Sequence, residues 1–187
     1  MSLIKYIVEN KLENEAEIIF FGGSFNPWHK GHTNCIKLAS KTTIIIIIPD
    51  HNPFKEVTDF NEKLTSESQL QEIAKEHSAG IYLGFSKENK PNPTYNWIVE
   101  VQQKYPKMKL SLLMGFDSFM SIDKWYKSKE LLTLLSSIYV ASRLDNDEVK
   151  NKQIKHLESV VPALRISFLG NHDQEHLSST HIRKNEQ

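Results

Sequence analysis

Two histidines, His29 and His32, stand three residues apart with Lys30 and Gly31 between them, and the pair Gly22-Gly23 precedes them by one short turn. An imidazole N–H donates to phosphate oxygens in bonds strengthened by the phosphate's charge, and glycine lets a phosphate approach the backbone with no side chain in the way. Both histidines lie where a helix is about to start. That end of a helix offers unpaired N–H groups and the positive pole of its dipole, so the chemistry indicated is anion binding. Imidazoles at this spacing also share a helix face and can ligate a metal, but zinc requires a third and fourth ligand. Glycines on both sides favour phosphate. The turn lacks the GxGxxG dinucleotide fingerprint and the lysine-bearing P-loop pattern.

The elements that must position this turn follow from apolar patterning. Residues 18–21 read as a buried strand leading into the glycines, and residues 32–40 as a helix with Ile36 and Ala39 inward. The β-branched run 44–48, ended by Pro49, is the pattern of a parallel strand covered on both faces. Further strands are expected at 81–85, 109–114, 137–142 and 165–169, with helices at 62–76, 94–105, around 130–135 and at 147–157. Ile4, Ile7, Val8 and Leu12 predict a short amphipathic helix in an N-terminal extension, residues 1–17, ahead of a single domain at 18–187. Alternating strands and helices imply right-handed crossovers and a Rossmann-like three-layer α/β sandwich. Its mainly parallel sheet of five to six strands carries ligands at the C-terminal strand ends.

Composition bounds the function. Lysine plus arginine and aspartate plus glutamate number 23 each, so no global field draws the chain to nucleic acid or to an anionic membrane. Any phosphate recognition is local. The only cysteine, Cys35, precludes an intrachain disulfide and reads as a packing residue. The first residues lack an export signal and the isoleucine run is too short to cross a bilayer, which together point to the cytoplasm.

GGSFNPWHKGH resembles the (T/H)xGH signature of the nucleotidyltransferase superfamily, and LSSTHIRK resembles its SSTxxR partner. GFDSFMSIDKW followed by KELL is similar to the GxDxxxxxxxW segment of nicotinate mononucleotide adenylyltransferases, and the three segments occur in one order across residues 18–184. The resemblance implies attack of a pyridine mononucleotide phosphate on the α-phosphorus of ATP, giving a dinucleotide and pyrophosphate. It implies that His29 and His32 hold the triphosphate and that backbone at Gly22, Gly23, Ser24 and Phe25, with Gly31, lines the nucleotide site. Ser179 and Thr180 would open the last helix against phosphate while Arg183 reaches the β- and γ-phosphates. Taken alone, SSTHIRK is a plain helix cap with a solvated basic tail. Magnesium is expected through phosphate oxygens rather than through protein ligands.

On the acceptor side the resemblance assigns Trp125 to the pyridine ring, Lys55 to the mononucleotide phosphate, and Thr94 and Tyr95 to the nicotinate end. Gly115 and Asp117 follow the fourth strand, where a carboxylate either accepts from a ribose hydroxyl or caps a helix. Asn26, Phe54 and the missing arginine in the 62–70 helix depart from the commonest family pattern, and all bear on the acceptor. Nicotinamide mononucleotide, or another small phosphate ester such as phosphopantetheine, is the alternative acceptor. A catalytically lapsed nucleotide sensor is the alternative of another class. His172 to His176 spells H-x-x-E-H, the inverted zinc-protease pattern, but the chain has no room for the long helix and downstream ligand that such proteases need.

Overall fold

Among the described residues of the computed structural model six strands form one sheet, all parallel, in the order β3-β2-β1-β4-β5-β6. They are β1 (Glu17–Gly23), β2 (Ile44–Pro49), β3 (Gly80–Ile81), β4 (Lys109–Gly115), β5 (Ser137–Ala141) and β6 (Arg165–Phe168). The structure describes residues 1–25, 27–39, 43–50, 65–88, 92–141 and 147–170. Helices α1 (Leu3–Glu9), α2 (Lys30–Ala39), α3 (Glu67–Glu76), α4 (Thr94–Lys104), α5 (Phe116–Phe119), α6 (Ser128–Leu134) and α7 (Asp147–Val160) cover both faces.

Because successive side chains on a strand point to opposite faces, each central strand feeds two cores. Ile18 and Phe20 of β1 and Ile46 and Ile48 of β2 pack with Leu3, Tyr6 and Ile7 of α1, Trp97, Ile98 and Val101 of α4, and Leu131, Leu132 and Leu157. Ile19 and Phe21 of β1 and Ile45 and Ile47 of β2 pack with Cys35 and Ile36 of α2 and Leu70 and Ala74 of α3. Two-sided burial is why the isoleucine run shows no alternation. The first two crossovers therefore lie on one face and the later ones on the other, and the strand order reverses between β1 and β4. This is the expected Rossmann-like sandwich, and the reversal opens a crevice at the C-terminal ends of those two strands.

Several boundaries differ from expectation. The strand expected at 81–85 is only Gly80–Ile81. Tyr82 still donates its N–H to the Ile47 carbonyl at 2.9 Å, but the chain then turns away. The phenol folds over Gly84, where a Cβ would stand 2.1 Å from Tyr82 Oη, and its hydroxyl donates to the Met1 carbonyl at 2.7 Å. The helix expected from residue 62 starts at Glu67, because Ser66 and Gln69 form a reciprocal capping box. Residues 62–64 lie outside the described residues. Helix α1 buries Leu3, Tyr6 and Ile7; of the expected face Ile7 and Leu12 are buried and Ile4 packs against the core, whereas Val8 is 49% exposed. Tyr6 meets Tyr82 edge-on at 5.7 Å, which seats α1 beside the short β3.

Candidate active site

The crevice between β1 and β4 is floored by glycine. A Cβ built on Gly22 or on Gly115 meets nothing within 4 Å, so the space above both strand ends is open. At Gly23 the same Cβ would lie 3.0 Å from the Phe25 ring. Phe25 has φ +46, a left-handed conformation that costs a bulky residue of the order of 1 kcal/mol or more, and its side chain is buried. Ring centroids lie 5.1 Å from Phe21, 4.9 Å from Trp28 and 5.1 Å from His32. The strained residue is thus a wedge beneath the histidine turn. Trp28 fixes the turn further, its indole N–H donating to Thr33 Oγ1 at 2.9 Å and its backbone N–H to Thr65 Oγ1 at 2.7 Å.

Above this wedge the rings of His29 and His32 stack, with centroids 3.8 Å apart and planes 26° apart. The His29 N–H donates to His32 Nδ1 at 3.3 Å, and the Gly31 N–H donates to His29 Nδ1 at 3.1 Å. A nitrogen that accepts carries no proton. Both imidazoles are therefore in the tautomer with the proton on Nε2, the atom farther from the turn, and each ring is a donor there. Gly31 is buried with its N–H committed to His29, and Cys35 donates its thiol to the Gly31 carbonyl, a packing role as expected.

Thr94, Tyr95 and Trp125, the residues assigned to the acceptor, come from the other core face. Thr94 and Tyr95 open α4, and the preceding Asn92 donates its backbone N–H and its side-chain amide to the Asp50 carboxylate at 3.1 and 3.3 Å. Asp50 in turn donates its N–H to the Gly23 carbonyl at 3.1 Å. One residue past the end of β2 thereby ties the α4 entrance to the glycine turn. Trp125 packs half-buried on the core, while Tyr126 lies edge-on to Tyr95 at 6.1 Å with the Lys127 ammonium 4.8 Å from the Tyr95 ring centre. The two segments assigned to the mononucleotide thus meet in space. Gln153, buried on α7, holds the second segment by donating to the Phe119 carbonyl at 3.2 Å and the Asp123 carboxylate at 3.4 Å. Asp117 is exposed in the first turn of α5, whose N-cap is Gly115, so the capping alternative for Asp117 does not hold.

Lys55, Ser179, Thr180 and Arg183 lie outside the described residues, as do Asn26, Phe54 and the segment 172–176. Among the described residues no group of three or more His, Cys, Asp or Glu side chains is placed to hold a metal ion. A groove of about 340 Å³ between Pro27, Trp28 and α3 runs beside the histidine turn, but Glu72 and Glu76 line it and disfavour an anion. Asp50, Asn92, Lys127 and Gln153 were not singled out from sequence. The contacts that place them, Asp50 with Asn92, Lys127 with Tyr95, and Gln153 with Phe119 and Asp123, each span at least 30 residues, and only the polar residue directly after β2 and the loop proline pair gave a local signal.

A doubly wound parallel sheet with a glycine turn and a histidine pair at its switch point defines a nucleotide-handling α/β domain. The cytidylyltransferase-like family model matches residues 20–185, and the chain belongs to that family. A relative from Staphylococcus epidermidis, named a probable nicotinate-nucleotide adenylyltransferase, is 32% identical over 146 residues, covering 74% of this chain and 75% of its own. One of the same name from Flavobacterium psychrophilum is 28% identical over 178 residues, covering 90% and 86%. The nicotinic acid mononucleotide adenylyltransferase of Plasmodium falciparum, solved with NaAD, superimposes with a TM-score of 0.65 at 18% identity, covering 90% of this chain and 82% of that one. That likeness concerns the fold.

Proposed function

We propose that the chain is an adenylyltransferase that joins ATP and nicotinate mononucleotide to give the deamido-NAD dinucleotide and pyrophosphate, a step of NAD biosynthesis. The observation that carries the reading is the stacked His29–His32 pair, both rings donors at Nε2, beside the open glycine floor of the β1/β4 crevice. The relatives' shared name supports the choice of acceptor.

A phosphate oxygen of the mononucleotide attacks the α-phosphorus of ATP, a new P–O bond forms, and the bond to the β-phosphate oxygen breaks, releasing pyrophosphate. Such a transfer demands alignment and charge stabilisation rather than a protein nucleophile. His29 and His32 donate to the triphosphate as charge builds on it, with Ser179, Thr180 and Arg183 as a second clamp. Trp125, Thr94, Tyr95 and Lys55 hold the acceptor, and Gly115 and Asp117 face the nucleotide. The histidine turn offers N–H donors rather than hard oxygen ligands, so magnesium fits this site on the substrate phosphates, where it would neutralise their charge.

A pyrophosphate-release assay with ATP, magnesium and a panel of acceptors tests the reading. Turnover with nicotinate mononucleotide is expected. Turnover with phosphopantetheine alone, or tight ATP binding with no turnover on any acceptor, would overturn it.

A further inference from the structure

Lys127 precedes α6 at the N-cap, with φ 48 and ψ 47, and makes no capping bond. Serine, aspartate or asparagine would cap that helix and glycine would take the left-handed backbone without strain, so neither role calls for lysine. What the side chain reaches is the Tyr95 ring, 4.8 Å from its ammonium, and the Tyr126 ring at 5.6 Å. Aromatic faces hold a cation in place without neutralising it. Among the described residues Lys127 forms no ion pair. Its positive charge is therefore fixed in position and still available to an anion.

The turn that carries this lysine is closed by the Ser128 N–H donating to the Trp125 carbonyl at 3.1 Å. Trp125 and Lys127 thus leave one tight turn, and Tyr95 from the start of α4 completes the cluster. Resting on the function proposed above, we infer that Lys127 pairs with the carboxylate of a nicotinate ring lying on Trp125, and so selects the acid over the amide form of the acceptor mononucleotide. The amide presents no charge to the ammonium. The acceptor phosphate is common to both forms and gives no discrimination.

Steady-state kinetics on Lys127→Met, Lys127→Gly and Lys127→Arg, with nicotinate and nicotinamide mononucleotides as separate acceptors, test the inference. Lys127→Gly relieves the left-handed strain, so it loses the charge in a chain that folds at least as well as the parent. For Met and Gly the KM for nicotinate mononucleotide should rise by about tenfold to a hundredfold, the range for one charge-assisted hydrogen bond. The kcat, the KM for ATP and the KM for the amide should stay within about threefold. Lys127→Arg should restore most of the preference. Equal losses with both acceptors, or an unchanged preference, would overturn the inference while leaving the adenylyltransferase reading intact. A parent protein active on neither pyridine mononucleotide would overturn both.

Discussion

On the proposed function His32 carries two separable tasks on its two ring nitrogens, and amide side chains can take them apart. Nδ1 accepts the His29 N–H at 3.3 Å and belongs to the turn's own structure, whereas Nε2 is the donor assigned to phosphate. The His32→Asn substitution puts an amide oxygen near where Nδ1 was. The His32→Gln substitution brings an amide nitrogen near where Nε2 was. A part-buried neutral hydrogen bond contributes about 1 kcal/mol, which in a domain of this length shifts Tm by about 2–4 °C. His32→Ala should lose that much stability and, as a phosphate-stabilising donor, on the order of a hundredfold in kcat/KM. His32→Asn should recover most of the Tm while staying as inactive as the alanine variant. His32→Gln should recover roughly tenfold in activity while melting near the alanine variant. Thermal melts paired with pyrophosphate release on all three variants decide it. An asparagine variant more active than the glutamine variant would refute the tautomer assignment and the role drawn from it.

Gly23→Ala pushes a methyl to 3.0 Å from a Phe25 ring that Phe21, Trp28 and His32 already confine, and should cost about 1–3 kcal/mol by denaturant titration. Gly115→Ala meets nothing within 4 Å and should leave Tm unchanged while lowering the affinity for ATP measured by calorimetry. Ile7, fully buried at the centre of the α1 contact, should cost about 2–5 kcal/mol when truncated to alanine, read from the same titration. Burial raises the pKa values of both Tyr6 and Tyr82 above the usual phenol value near 10. Unfolded tyrosines ionise first, so this contribution is complete below about pH 10 and is lost as pH rises from there through the folded values. Unfolding midpoints should therefore fall as pH rises above about 10, less steeply in Tyr82→Phe.

What the sequence made legible was whatever depends on near neighbours. The β-branched run of β2, the glycine turn and the helical stripe of Trp97, Ile98 and Val101 each announce themselves within a few residues, and the alternation of such segments determines the sheet. The end of β3 did not, because Tyr82 to Phe85 is apolar enough for a strand. It leaves the sheet because the Tyr82 phenol turns toward Met1, a partner 81 residues away. The interior glycine at position 84 was the available sign. At the site the histidine pair was visible from spacing, but their shared tautomer depends on turn geometry. The Asp50–Asn92 bond and the Lys127–Tyr95 contact each join segments more than 30 residues apart, beyond what local pattern encodes.

The reversal of strand order between β1 and β4 also sets when the binding crevice can come into being. β1 and β2 pair through one short crossover, as do β4 and β5, so each half of the sheet can assemble from contacts local in the chain. The pairing of β1 with β4 brings Ile18 beside Leu110 and closes the longest loop of any strand pair in the sheet. The crevice lies on that seam. A chain with both halves formed but not yet joined has no place for the nucleotide, and a bound nucleotide favours the joined state, so ligand and folding are thermodynamically linked through the most distant strand pairing among the described residues.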